Sequence, residues 1–359
     1  MSKYLKNHFS NSTAVVDLNQ AVINIKKVKE RVSGQKILAV VKCNAYSHGA
    51  AEVSRHVEDY VDWFAVNNVD EGIHLRMNRI KNPILVFSVP TYQTAAAYVT
   101  HNLTATVSHK THFSILMDGT SYHLNFDTGM GRLGFYPEEA EDVRSLAVAS
   151  QRLICSGIYS HYATAGDPGS DYVFKQHEIF KNLLRHFTEV PLVHMSNTGA
   201  ATIYPEIDQF DMIRTGLGML GYNSGITRHN WLNPILTWKT NIAQIRPIKQ
   251  GGSVSYDCTW KSPKDGFLAT LPVGYGDGIP RALSNKLKVL INGKFYQQVG
   301  NITMGMTMIY LENDKLPVQS EVTLLGGNGW NAHDWAEHAN SNVHEILTNI
   351  SERVELEYV

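Results

Sequence analysis

The feature that most constrains this chain is a long alternation of two textures. From about residue 14 to 220, short runs rich in β-branched and other apolar residues alternate with segments of helical spacing. The candidate strands are Thr13–Leu18, Lys36–Lys42, Asp62–Asn67, Asn82–Val89, Leu103–Ser108, Tyr122–Asp127, Leu153–His161, Pro191–Ser196 and Asp211–Gly216. Asn19–Val32, Pro137–Ala149 and Tyr172–Phe187 are examples of the helical pattern between them. Such alternation implies parallel βαβ units. Setting the first strand aside leaves eight units, the number that closes a (β/α)8 barrel. An open doubly wound sheet is the competing arrangement, and eight units in one unbroken series favour closure.

After residue 230 the texture changes. Ile235–Arg246, Gly266–Leu271, Leu287–Ile291, Lys294–Val299, Thr307–Leu311 and Glu321–Leu325 read as short strands with turn signals between them, Asn292-Gly293 among them. Only Ala332–Asn349 looks helical in this half. The expected organisation is a barrel over 10–230, then a mainly antiparallel β domain over 231–359. Residues 1–9 or the first strand are expected to join the second domain.

Charge and composition narrow the function classes. Lys+Arg is 32 against Asp+Glu 33, a formal net charge of −1, without the basic footprint of a nucleic-acid binder. Apolar runs such as Ile37–Val41 fall far short of the ~20 residues that span a bilayer. The opening MSKYLKNHFSNST has no apolar stretch of a secretory signal, and the three cysteines, Cys43, Cys155 and Cys258, make no disulfide framework. A soluble cytoplasmic protein is the expectation. The 16 histidines show no metal-ligand spacing, so no metal is expected.

A barrel of this kind gathers its reactive groups at the C-terminal ends of its strands. The second run ends on Lys42, and a lysine closing an almost wholly apolar strand is costly unless neutralised or bonded. It is either an amine for Schiff-base chemistry or a snorkelling, ion-paired lysine. Cys43, next along the same run, is expected to point away from it by strand alternation. Other ends deliver Arg132 in Asp127-Thr-Gly-Met-Gly-Arg-Leu-Gly134, His161 in Tyr159-Ser-His-Tyr162, Thr198 in Ser196-Asn-Thr-Gly-Ala-Ala201, and Arg214 before Thr215-Gly-Leu-Gly218. Each alone has a bland structural reading. Together, a lysine, a phosphate cradle of small residues and a carboxylate-binding arginine suggest pyridoxal phosphate and an amino acid.

On these residues the chain resembles the alanine racemase family. The markers run along nearly its whole length. They are Val41-Lys-Cys-Asn-Ala-Tyr-Ser-His-Gly49, Asp127–Gly134, Ser160-His-Tyr-Ala-Thr164, Val254-Ser-Tyr256, Gly274-Tyr-Gly-Asp-Gly278 and Met304-Gly-Met-Thr-Met-Ile309. Cys43 and Ser47 stand where the motif usually has alanine and glycine. The resemblance implies a pyridoxal-phosphate barrel followed by a β domain, catalysing interconversion of L- and D-alanine. By it, Lys42 would hold the cofactor as a Schiff base and serve as one acid/base, with Tyr256 as the other. Tyr46, Asn197, Thr198 and the backbone at Gly216 and Leu217 would hold the phosphate end. Arg214 would face the pyridine nitrogen and His161 would pack against the ring. Arg132 would take the substrate carboxylate, with Tyr275 and Met304 lining the same pocket. The resemblance also implies a head-to-tail homodimer, in which Tyr256 reaches into the barrel of the other subunit.

Two bases on opposite faces would invert Cα without turning the intermediate, and both, with ordinary pKa near 10, would need tuning downward. Four positions depart from the family pattern. Asn125 replaces a lysine that becomes carbamylated to support the arginine, leaving a bound anion or water as candidate supports of Arg132. Asn301 and Gly305 replace an arginine and an aspartate, and His344 occupies the slot of a phosphate-contacting tyrosine. Three of these changes enlarge or neutralise the substrate entrance. A racemase of broader specificity, acting on serine, lysine or a similar amino acid, is therefore the alternative. A decarboxylase would set a carboxylate rather than Arg214 at the pyridine nitrogen, and a non-catalytic cofactor carrier would leave Tyr256 without a purpose.

Overall fold

The structure is a computed structural model that describes residues 10–359 apart from 33, 224, 226, 227 and 229. Residues 1–9, which the sequence reading joined to the second domain, lie outside the described residues. The chain divides into two compact units. One holds Ala21–Ala45 and Gly49–Asn233, and the other holds the described chain up to Gln20, Tyr46–His48 and Pro234–Val359.

The first strand, β1 (Ser12–Val16), belongs to the second unit; the next eight build the first. They are β2 (Lys36–Val40), β3 (Trp63–Val66), β4 (Ile84–Val86), β5 (Ala105–Val107), β6 (Ser121–Asn125), β7 (Ile154–Tyr159), β8 (Val193–His194) and β9 (Met212–Thr215). Two four-stranded sheets, β4-β3-β2-β9 and β5-β6-β7-β8, are parallel throughout. Parallel bridges Leu85↔Thr104 and Asn197↔Arg214 join them at both seams and close the ring. The strands are short and apolar because both faces are covered; Ile37, Leu38, Ala39, Ile84, Leu85 and Val86 are fully buried. The Leu18–Glu30 helix lays Ala21, Val22, Ile25 and Val28 inward at helical spacing. Its buried Asn24 donates to the carbonyls of Met219 and Asn233, at 3.1 and 2.8 Å.

The second unit adds β10 (Leu236–Asn241), β11 (Gln244–Ile248), β12 (Ser253–Val254), β13 (Trp260–Lys261), β14 (Gly266–Leu271), β15 (Lys288–Ile291), β16 (Lys294–Gln298), β17 (Thr307–Glu312), β18 (Glu321–Leu325) and β19 (Glu355–Tyr358). A nine-stranded sheet runs β11-β14-β17-β16-β15-β18-β10-β1-β19, with β12 and β13 paired apart from it. Its ladders are antiparallel except β1 with β19. Trp238 and Trp335, both fully buried, meet in its core with ring centroids 5.9 Å apart.

Two expectations change in this half. Ile235–Arg246 is not one strand but β10 and β11, far apart in the sheet order. The backbone switches partners there: Ile242 bonds to Ser320 and Gln319, whereas the Ala243 amide donates to Thr270. The helical Ala332–Asn349 is two helices, Ala332–Ala339 and Val343–Thr348. Asn340 turns left-handed (φ 54°) to end the first, and the Asn342 side chain accepts from the Glu345 amide to start the second. No helix among the described residues is long and apolar enough to cross a membrane.

Candidate active site

Lys42 follows β2 after one residue, Val41, and opens a helical turn, Lys42–Ser47, whose hand is reversed. Cys43, Asn44, Ala45, Tyr46 and Ser47 all have positive φ, between 50 and 64°. L-residues resist this conformation, at roughly 1–2 kcal/mol each, so the surroundings must over-determine it. The Ala45 amide donates back to the Val41 carbonyl and the Gly49 amide to that of Asn44. Asn44 Oδ1 accepts from the Ala50 amide at 2.8 Å, and Glu71 takes the amides of Cys43 and Asn67 on its two oxygens. Cys43 thus lies on a helical turn, not on a strand as expected, and strand alternation does not govern where it points. The half-buried Lys42 has its pKa lowered, by burial first and by the Arg132 charge second. Its Nζ lies 5.9 Å from the Phe87 ring centroid.

The neighbouring strand, β9, brings Arg214 beside Leu38 and Thr215 beside Ala39, so both reach the rim where Lys42 emerges. Arg214 is buried and donates to the carbonyls of Ser160 and Met195 and to the Nδ1 atoms of His161 and His194, all within 2.8–2.9 Å. A guanidinium can only donate. His161 and His194 must therefore accept at Nδ1, which puts the His194 proton on Nε2, from where it bonds to His123 Nδ1 at 2.9 Å. Burial first and the Arg214 charge second hold the His123 pKa down to about 3 and that of His194 well below the ordinary value. Burial lowers Arg214 itself to about 10, still a cation at neutral pH.

Next to Arg214 the Thr198 and Thr215 hydroxyls lie 3.1 Å apart, and both residues are buried. A Cβ at Gly218 would fall 2.6 Å from Thr215 Oγ1 and 2.7 Å from Thr198 Cγ2, so only glycine leaves the two hydroxyls room. Asn197 caps the Thr198–Ile203 helix by accepting from the Ala200 amide at 2.9 Å. The Gly216 and Leu217 backbone continues the same rim, and both residues are buried. Two hydroxyls over a glycine, a buried arginine that can only donate and an amine of lowered pKa fit a phosphate, a ring nitrogen and an aldehyde respectively. The residues present are suited to pyridoxal phosphate.

On the far side of the ring, the Asp127–Gly134 loop is drawn tight by one carboxylate. Asp127 Oδ1 accepts from the amides of Gly129, Met130 and Gly131, and Oδ2 from that of Arg132. Asn125 Nδ2 holds the Leu133 carbonyl at 2.9 Å, and the Phe126↔Phe135 bridge closes the loop. Arg132 is exposed. Asn125 and Asp127 fix the backbone on either side of Arg132.

The remaining expected site residues lie in the second unit. Tyr256, Tyr275 and Met304 are 71, 43 and 62 % exposed. Tyr46 is buried, and its ring centroid lies 5.8 Å from that of His344. Gly305 has open space where a Cβ would stand.

Two sequence profiles cover almost the whole chain: the alanine racemase N-terminal domain matches residues 16–224, and the C-terminal domain matches 235–358. The chain belongs to the alanine racemase family. It is 35% identical over 360 residues to the alanine racemase of Symbiobacterium thermophilum, covering 95% of each chain. To that of Streptococcus pneumoniae (strain G54) it is 34% identical, with 96% and 97% coverage. Among solved structures, alanine racemase from E. faecalis superposes with a TM-score of 0.93 at 29% identity, covering 99% of this chain and 100% of the other. A histidine racemase from Leuconostoc mesenteroides gives 0.87 at 28%, covering 98% and 99%. The resemblance read from the motifs and the barrel-plus-β architecture are both borne out.

Sequence reading missed His123 and His194 as parts of this site and named Thr215 only within the run Thr215-Gly-Leu-Gly218. Each lies on a barrel strand, and all three are fully buried. For the two histidines, an imidazole inside a barrel strand was the available signal.

Proposed function

We propose that this protein is a pyridoxal-phosphate-dependent racemase that interconverts L- and D-alanine, with Lys42 and Tyr256 as bases on opposite faces of the substrate. Supporting this most directly is the convergence at one barrel rim of Lys42, with its lowered pKa, and the donor-only Arg214 beside the Thr198–Thr215–Gly218 cradle. Lys42, Tyr46, His161, Thr198, Arg214, Gly216 and Leu217 would hold the cofactor, with Asn197 fixing the turn beneath. When bound, it supplies the electron sink that makes a substrate Cα–H acidic.

The chain's own groups do the rest. Lys42, kept neutral more readily by burial and Arg132, takes or returns the Cα proton at Nζ. Tyr256 does the same at its phenolic oxygen on the other face. Arg132 orients the substrate carboxylate. Arg214 would face the ring nitrogen as a donor that keeps its own proton, which would keep the sink weak and disfavour transamination.

Tyr256, Tyr275, Met304 and Met306 are all well exposed in the single chain. A head-to-tail homodimer, in which these residues complete the partner's site, accounts for them. The barrel unit, Ala21–Ala45 with Gly49–Asn233, would then bind the cofactor, and the β unit, with β1, would deliver Tyr256 and its neighbours. We place the enzyme in the cytoplasm. Mixing Lys42→Ala chains with Tyr256→Phe chains should restore racemisation once subunits exchange; confirmed exchange without recovery rejects shared sites.

A second reading has its own observation. The open space at Gly305 and the likeness to a histidine racemase favour admission of larger amino acids. Purified holoenzyme should be given L-alanine, L-serine, L-lysine and L-histidine, with products resolved by chiral chromatography. Fastest turnover of alanine supports the first reading, and a larger substrate outrunning it supports the second.

A further inference from the structure

Tyr256 sits in a backbone that would not hold itself. Ser255 on one side and Asp257 and Cys258 on the other all have positive φ, at 64, 63 and 50°. None is glycine. L side chains disfavour this region, so the loop requires a restraint from outside. Asn301 provides one. It is only 8 % exposed, and its Nδ2 donates both to the Tyr256 carbonyl, at 3.1 Å, and to Asp257 Oδ2, at 3.0 Å. Both partners are pure acceptors, so the amide can be oriented only with its nitrogen toward them. The Asn301 carbonyl in turn accepts from Ser255 Oγ at 2.6 Å. One residue thereby grips the residue before the tyrosine, the tyrosine itself and the residue after it.

The neighbours reinforce the grip. Gly300 (φ +74°) passes so close beneath the loop that a Cβ there would fall 2.6 Å from the Val254 carbonyl. Asn285 accepts from the Gly300 amide at 2.6 Å and donates to Thr259 Oγ1 at 3.1 Å, tying the same two segments together. Arg281 stands 3.9 Å from Asp257 Oδ2 and faces that carboxylate from outside.

We infer that Asn301 is a positioning residue for the racemisation: it fixes the left-handed turn that aims the Tyr256 phenol. The inference rests on the reading of Tyr256 as one of the two bases. Asn301 touches no reacting atom. It acts through the Tyr256 backbone, and a displacement of about 1 Å at a reacting group can cost 10²-fold in rate.

The test compares Asn301→Ala, Asn301→Asp and Tyr256→Phe holoenzymes. Asn301→Asp keeps the side-chain shape but replaces the two donors by a carboxylate facing Asp257, and Asn301→Ala removes the donors without added charge. Both Asn301 variants should lose about 10- to 100-fold in kcat for alanine with KM changed by no more than about twofold. In deuterated water both should lose α-hydrogen exchange selectively for one enantiomer, the same one that Tyr256→Phe silences, while the other still exchanges through Lys42. A readout that needs no cofactor is hydrogen exchange of the cofactor-free protein: amides of the 253–261 segment should exchange at least ten times faster in both variants. Asn301→Asp with unaltered kcat overturns the inference, as does loss of exchange by both enantiomers equally. An unimpaired Tyr256→Phe enzyme overturns the reading of Tyr256 and this inference with it. An impaired Tyr256→Phe enzyme alongside an unimpaired Asn301→Asp enzyme overturns the inference alone.

Discussion

Two left-handed turns carry the two proposed bases, and they are restrained in opposite ways. The turn after β2, Lys42–Ser47, has five successive residues at positive φ, yet Ala45 and Tyr46 within it are buried. Its restraints are mostly main-chain bonds and the capping oxygens of Asn44 and Glu71. The turn around Tyr256 has three such residues, all three residues from Tyr256 to Cys258 are exposed, and a single side chain, Asn301, spans it. Backbone strain of this kind persists only where the surroundings over-determine it. In the first turn that work is spread over several bonds, with Ala45 and Tyr46 buried. In the β unit it is concentrated, so the second turn is the one a point substitution can release.

The largest effect expected is at Lys42. Lys42→Ala removes both a base and the cofactor's covalent anchor, so racemisation should fall by more than the ~10²–10⁴ of an ordinary general-base loss. Borohydride should label one lysine in the native holoenzyme and none in the variant. A label that persists on another lysine would break the assignment of the first turn. At the second turn, Tyr256→Phe should cost about 10²–10⁴ in racemisation while leaving the Lys42 face able to exchange its proton. Equal exchange of both enantiomers would mean that one base serves both faces, and the contrast between the turns would lose its functional meaning.

Most of this site was legible in the sequence because barrel chemistry collects at strand ends, where a lysine or arginine after an apolar run is conspicuous. Lys42, Arg132, His161, Thr198 and Arg214 were found in that way. What strand ends deliver by backbone conformation was not legible. Nothing in Lys42-Cys-Asn-Ala-Tyr-Ser47 announces a reversed helical hand, since Asn44 is the one residue among Cys43–Ser47 with a noted tolerance for it. Asn301 was visible as a departure from the family pattern, but its partners, Tyr256 and Asp257, lie 45 and 44 positions away. The β unit was read less well for a related reason. Its strands switch partners in mid-run, as at Ile242, and hydrophobic pattern carries no record of which neighbour a strand has chosen.

Acid separates the two units at the next level of effect. Burial lowers the pKa of His112 to about 4 and of His123 to about 3, and lowers His177 and His194 as well; all four lie in the barrel unit. The unfolded chain binds a proton on each near pH 6.5, and the folded barrel refuses it. Their contribution is therefore complete above about pH 6.5 and is lost as pH falls, by up to about 1.4 kcal/mol per pH unit per group, for His123 until about pH 3. Denaturant titrations from pH 7 to 4 should show this slope, and His123→Asn, whose side-chain oxygen can still accept from His194, should reduce it by one group. A barrel no more sensitive to acid than the β unit, by hydrogen exchange of the two halves, would show that these histidines are not buried as described.

The smallest effect is the sharpest comparison, because the same substitution can be made in both turns. Ser47 has φ 64° and Cys258 has φ 50°, and glycine occupies either without a Cβ penalty. Replacing a strained residue by glycine gains about 1–2 kcal/mol from the relieved conformation. It loses about 0.4–1 kcal/mol to the greater freedom of the unfolded chain. In the first turn the gain should survive, since main-chain bonds still define the conformation and Ser47 Oγ gives up only a long 3.4 Å contact with the Thr348 carbonyl. Ser47→Gly should thus stabilise the cofactor-free protein by about 0.5–1 kcal/mol and leave kcat unchanged. In the second turn the freedom is added beside Tyr256, where the restraint comes from a few side chains, Asn301 foremost with Asn285 beside it. Cys258→Gly should bring little net stability and lower kcat severalfold, with faster exchange of the 253–261 amides. Identical responses at the two sites, in stability and in kcat, would show that the distribution of restraints is not what distinguishes them.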